Sequence, residues 1–188
     1  MTWPPPLHLA PLHSTGPEPA LLRRLSRRLK KLLRTRVSVV SPIDIPLSDT
    51  ADQPLSSNLL VDALLDREPA DVDPFSRWTV LITDRDLAAP NRAFVFGEAT
   101  LGGAWAVVST ARLATADDSI DTLVDRLLKE VVHEIGHLAG LPHCRRSHCV
   151  MHPSTSPLEV DRKDADFCDR CRPLFFRSDP LDRYHHES

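Results

Sequence analysis

The chain has 188 residues, 26% charged and 41% hydrophobic, with a formal net charge of −3. That length makes one domain with a sizeable core, and the nearly balanced charge excludes a global pull toward nucleic acid or an anionic membrane. No apolar run approaches the roughly 18 residues that a bilayer-spanning helix needs, so no membrane partner is expected.

In chain order, the opening MTWPPPLHLAPLHSTGPEPA lacks a basic region and its apolar stretch is broken by Pro11. It does not read as a signal peptide, and a cytoplasmic location is the default. Residues 1–18 read as a Pro-rich flexible tail. From Pro19 to about Arg34, Leu22, Leu25, Leu29 and Leu32 recur at helical spacing. Arg23, Arg24, Arg27, Arg28, Lys30, Lys31 and Arg34 cover much of the remaining surface, the pattern of a solvated face. Arg36–Ile45, with Val37, Val39 and Val40, reads as a strand. Leu55–Leu65 reads as a helix ended by Glu68-Pro69. Trp78–Thr83 is an apolar run of strand length. Ala93–Ala99 and Ala104–Ser109 are two more strands, and the turn Leu101-Gly102-Gly103 makes them an antiparallel hairpin. Asp118 or Ser119 can cap a helix whose apolar stripe is Ile120, Leu123, Leu127, Val131, Ile135 and Leu138.

That helix ends in HEIGHLAGLPHC, His133 to Cys144. His133 and His137, four residues apart, lean off one helix face and can meet on one ion. Glu134 is rotated by about 100° from His133, so it can reach a water on the metal rather than the metal itself. Gly140 tolerates positive φ, so the helix can end there and the chain can turn back. The turn can bring His143 round as a third ligand. Three imidazoles leave the fourth tetrahedral position open to water, whose pKa zinc lowers to about 7. Glu134 would take the proton and pass it to a leaving amine. The competing reading is a solvated helix face that carries the motif by chance. The glycine and third histidine at these offsets argue against it.

All four cysteines follow the motif, as Cys144-x4-Cys149 and Cys168-x2-Cys171. Two short-spaced thiolate pairs are the usual way to wrap a closed structural zinc site. Two disulfides or a redox Cys-x-x-Cys are the alternatives. Because Cys144 follows His143 directly, a metal held there would fix the loop that carries the third histidine.

HEIGHLAGLPHC, the Cys-x4-Cys, Met151 two residues after Cys149, and the final CDRC together resemble the archaemetzincin family of metalloproteases. LITDRDLAAPNRAFVFGEATLGGAWAVVSTARL, Leu81 to Leu113, is similar to the sheet region of the same family. The likeness covers about residues 37 to 175. It implies an α+β, α/β/α-like zincin fold, metzincin-like, with a mixed sheet and helices plus a short C-terminal subdomain that carries the four-cysteine zinc site. In that arrangement residues 19–176 form one metalloprotease domain, divided into an upper subdomain at 19–140 and a lower one at 141–176. Residues 177–188 are a tail. By the same likeness Met151 matches the Met-turn beneath the catalytic metal, although an ordinary core methionine is physically close. The strand around Phe94–Glu98 becomes the cleft edge, where a substrate backbone could add as a strand.

The expected function is therefore that of a zinc metallopeptidase, endo- or amino-, with Glu134 as general base and acid. It would hold two Zn2+ per chain, one catalytic and one structural, and act on a peptide or protein substrate as a monomer, without nucleic acid. The alternative is a non-catalytic or latent zinc module that binds an acidic partner or nucleic acid. Arg145, Arg146, Arg162, Lys163, Arg170 and Arg172 flank the cysteines for that purpose. In a latent form, His148 or His152 would block the open metal position.

Overall fold

The computed structural model describes residues 3–45, 53–66 and 76–176. Its elements in chain order are β1 (Leu7–Pro11), α1 (Pro19–Leu33), β2 (Val37–Val39), β3 (Leu55–Ser56), α2 (Ser57–Leu65), β4 (Trp78–Thr83), β5 (Leu87–Ala89), β6 (Arg92–Val95), β7 (Gly97–Ala99), β8 (Trp105–Ser109), α3 (Ile120–Leu138), α4 (Pro157–Arg162) and α5 (Cys171–Phe175). A five-stranded sheet runs β2-β1-β4-β8-β7, and a three-stranded one runs β3-β5-β6. The first four strands of the large sheet are parallel, while β7 returns antiparallel beside β8 with Gly97 opposite Val108.

Alternation along the central strands sorts the layers. Leu7, Leu9, Val80, Ile82, Ala106 and Val108 enter a core shared with the leucines of α1 and the apolar stripe of α3. Ala10, Leu81 and Val107 face the opposite way, toward Leu60, Val61 and Leu64 of α2. The product is an α/β/α sandwich, as the family likeness implies. Leu22, Leu25 and Leu29 of α1 are at most 1% exposed. Each stabilises the fold by roughly 1.5–3 kcal/mol of transferred apolar surface.

The largest departure from the sequence reading is at the N-terminus. Residues 7–11 are no flexible tail: β1 lies inside the sheet, paired with both β2 and β4. Leu7, Leu9 and Ala10 are fully buried, and the Trp3 ring packs against Trp78 and Phe175. A strand buried on both faces shows no alternation, and this one is five residues long with prolines before it and at its end, so it resembles a linker. Pro11 faces the β2 side, where that strand has already ended at Val39, so its missing N–H breaks no ladder bond, and its carbonyl accepts from the Ile43 N–H at 2.9 Å.

Smaller departures follow from short-range geometry. The strand expected over Arg36–Ile45 shrinks to Val37–Val39, followed by a single bridge between Leu12 and Ile43. Leu55 and Ser56 form β3, and the helix begins only at Ser57. Ala93–Ala99 is divided at Phe96 between two sheets. The expected stop at Glu68-Pro69 and the tail at residues 177–188 lie outside the described residues. Among the described residues, no helix is long and apolar enough to cross a membrane.

Candidate metal centres

Helix α3 positions the first two histidines. Ser119 caps its N-terminus, with Oγ accepting from the Thr122 N–H at 3.1 Å, and Asp121 sits in the first turn, where the helix dipole favours it. The C-terminus closes at Gly140, whose φ is 81°. The Leu141 N–H reaches the Gly136 carbonyl at 2.9 Å and the Gly140 N–H reaches His137 O at 2.8 Å. That is the Schellman pattern, and it reverses the chain so that His143 faces back toward the helix.

The three rings converge. Their centroids are 4.8 Å apart for His133–His137, 5.2 Å for His133–His143 and 4.9 Å for His137–His143. Each Nδ1 on the helix is committed to a carbonyl, His133 to Val150 O at 2.8 Å and His137 to Leu141 O at 2.8 Å. Burial lowers the pKa of all three histidines, that of His133 most, so the rings are neutral near pH 7. In a neutral ring with Nδ1 protonated, Nε2 carries only a lone pair. His133 Nε2 and His137 Nε2 nevertheless stand 3.2 Å apart. Two acceptors at that distance repel unless a cation lies between them. Nitrogens at about 2.0–2.1 Å on a tetrahedral ion would stand about 3.3 Å apart, so the donor set fits zinc.

Glu134 is 4% exposed, and its proton affinity is raised well above the ordinary carboxylate range, first by burial and then by the charge of Glu130. Its carboxylate lies flush against the backbone of β7. A Cβ at Gly97 would stand 2.7 Å from Glu134 Oε1 and 2.8 Å from Val107 O. Met151 is fully buried with its sulfur against the helix at Gly136. A Cβ at Gly136 would lie 2.2 Å from Met151 Sδ. The motif led us to Gly140 but not to Gly97 or Gly136. An isolated glycine in a strand pattern is the signal for close backbone approach, and Gly97 carries it.

The four cysteines also converge. All are free thiols, and their sulfurs lie within 4.8 Å of one another. The Cys144–Cys168 separation is 3.9 Å, far beyond the S–S bond of about 2.05 Å. Thiolates at about 2.3 Å on a tetrahedral zinc would stand about 3.8 Å apart. Burial opposes thiolate formation at Cys168, yet the backbone N–H groups of Cys171 and Arg170, with neighbouring thiols, bring its pKa to about 6. Burial and the Cys149 charge push Cys171 up.

Other predicted residues lie elsewhere. Among the described residues, the histidine group contains neither His148 nor His152. His152 instead donates from Nδ1 to Cys144 O at 3.0 Å. Half of the basic fringe around the cysteines is engaged in ion pairs: Arg146 pairs with Asp169 and Arg172 with Asp166. Lys163 is buried against Glu130.

Paired helical histidines, a glutamate between them and a third histidine beyond a glycine turn, all beside a sheet edge, define a metal-dependent hydrolase. Comparison with known proteins narrows that class. A profile of Peptidase family M54 matches residues 60–176. Archaemetzincin of Archaeoglobus fulgidus is 38% identical over 149 residues, 78% of this chain and 86% of its own length. That of Halobacterium salinarum is 36% identical over 171 residues, 86% of this chain and 95% of its own. The crystal structure of archaemetzincin from Methanopyrus kandleri, at 34% identity, superposes with a TM-score of 0.77 over 95% of this chain and 96% of that one. The chain belongs to peptidase family M54, the archaemetzincins, and is a zinc metallopeptidase.

Proposed function

We propose that the chain holds two zinc ions and hydrolyses peptide bonds at the histidine site. His133, His137 and His143 would hold the catalytic ion, and Cys144, Cys149, Cys168 and Cys171 the structural one. Zinc at the histidines supplies a Lewis acid that polarises a peptide carbonyl and brings the pKa of water to about 7. Glu134 acts as base and then acid, taking a proton from the attacking water and delivering it to the departing amine. Its raised proton affinity suits a group that must hold that proton between the two steps. Met151 serves as the Met-turn, an apolar floor under the histidines that leaves their Nε2 atoms free.

Strand β7 is the edge of the large sheet, with β8 as its one neighbour in the ladder order. A peptide added there as an extra strand would carry its backbone past Glu134, which rests on Gly97. Residues up to Gly140, now including β1, then form the upper part of one domain, and residues 141–176 the lower part.

The observation that carries this reading is the pair of lone-pair-bearing Nε2 atoms held 3.2 Å apart with a buried carboxylate beside them. The test is Glu134→Ala. It should keep the zinc content of the parent and lower kcat on a peptide library by about 10²–10⁴-fold. Unchanged turnover would exclude Glu134 as the proton carrier.

A further inference from the structure

Lys163 is the buried charge that this mechanism leaves unused. Its side chain is fully buried, with Nζ 2.8 Å from Glu130 Oε1 and 3.1 Å from the His152 carbonyl. A buried ion pair is a weak way to gain stability, because desolvating both charges offsets most of their attraction. The neighbouring helix does not need it as an anchor either. Arg126 already grips Asp161 through two bonds, Nε–Oδ1 at 2.8 Å and Nη2–Oδ2 at 2.9 Å.

What the pair does touch is the short segment under the histidines. Three successive carbonyls there each have a partner. Val150 O accepts from His133 Nδ1 at 2.8 Å, Met151 O from the Cys144 N–H at 2.9 Å, and His152 O from Lys163. Glu130 lies on α3, three residues before His133 and four before Glu134. The contacts therefore close a ring: α3 to Glu130, to Lys163, to the 150–152 segment, and back through Val150 O to His133 on the same helix. Without the Lys163 link, that segment is held to the helix by packing and by the His133 Nδ1–Val150 O bond, which then depends on the ring it is meant to orient.

We propose that Lys163, held by Glu130, is a positioning residue for the catalytic zinc. It fixes the height of the 150–152 segment, and so the orientation of the His133 ring, from the helix that bears the ligands. The proposal rests on the reading of the three histidines as a zinc site. Groups that orient a ligand through its second ring nitrogen typically contribute about tenfold to a hundredfold in metal affinity.

The test uses the full chain loaded with cobalt(II), whose thiolate charge-transfer band reports the cysteine site and whose ligand-field bands report the histidine site. Lys163→Met should weaken the histidine site by about tenfold to a hundredfold in chelator competition and leave the thiolate band intact. Lys163→Met combined with Glu130→Met leaves no unpaired buried charge, so it should fold with near-parental Tm yet stay weak at the histidines. This double variant carries the comparison if the single one fails to fold. Parental affinity in Lys163→Met, or affinity that recovers together with Tm in the double variant, would overturn the proposal. A parent protein whose spectrum is unchanged by His137→Ala overturns the zinc reading itself and is distinct from either result.

Discussion

Gly140 divides two regions that are held together by different forces. Before it, long elements bury continuous apolar faces: α1 and α3 cover one side of the sheet, and Leu7, Leu25, Val80 and Leu127 are fully buried between them. After it, α4 has six residues and α5 five, too short to persist on helical propensity. That region docks Val150, Met151, Val160, Phe167 and Phe175 onto the core. Its other fixings include the thiol cluster, the ion pairs Arg126–Asp161 and Glu130–Lys163, and the hydrogen bond from Lys129 Nζ to the Asp161 carbonyl. On the proposed reading the catalytic zinc spans this divide. Two of its ligands stand on the rigid helix and the third on the stapled segment, one residue before Cys144.

The difference can be broken at the staple, which should produce the largest effect. Replacing Cys168 and Cys171 with Ser removes two of the four thiolates. Zinc content should fall below one per chain, because the loop bearing His143 loosens with the cluster. Hydrogen exchange should then lose protection over residues 141–176 while β1, β4 and α3 keep theirs. A variant that retains one tightly bound zinc and normal turnover would show that the two regions do not depend on each other.

On the rigid side, the corresponding change is Gly97→Ala, with a moderate effect. The added methyl meets Glu134 Oε1 on one side and the Val107 carbonyl on the other. The carboxylate can yield but the backbone cannot, so Glu134 should swing off β7. A displacement of about 1 Å can cost on the order of a hundredfold in rate. We expect kcat to fall by about tenfold to a hundredfold, with KM and zinc content near parental values. A fall in zinc content equal to the fall in rate would mean that Gly97 supports the fold and not the carboxylate.

The same divide separates what was legible in the sequence from what was not. The bounds of α3 and the turn at Gly140 follow from strong local signals: a serine cap, a 3.6-residue apolar period and a glycine at positive φ. Strands β4 and β8 stand out as apolar runs between turns. Strand β1 was hidden because its identity as a strand depends on β2 and β4, both distant in sequence. Lys163 read as part of a basic surface because it lies in a polar run, Glu159 to Asp166, and its partner is 33 residues upstream. Where contacts are apolar and periodic, sequence spacing reports them. Where they are single ionic links between distant residues, it does not. The thiol cluster is legible because metal-ligand spacing is itself a local pattern.

The smallest expected effect concerns the entry to α3, on the rigid side. The backbone and side chain of Thr115, and beyond them Arg126, hold the Asp118 carboxyl below its ordinary range. A carboxyl whose pKa is lowered in the folded state adds stability above its unfolded value, about 3.9. That contribution is lost as pH falls through the folded value. Asp118→Asn should therefore lower Tm slightly at pH 7, and the difference from the parent should vanish as the pH is taken well below 4. Arg126 also grips Asp161 and the Leu113 carbonyl, so the guanidinium stays in place and the lower region should remain docked. If Asp118→Asn instead released zinc or exposed residues 157–163 to exchange, Arg126 would be a hinge pin between the two regions. The division at Gly140 would then run through α3 rather than beyond its end.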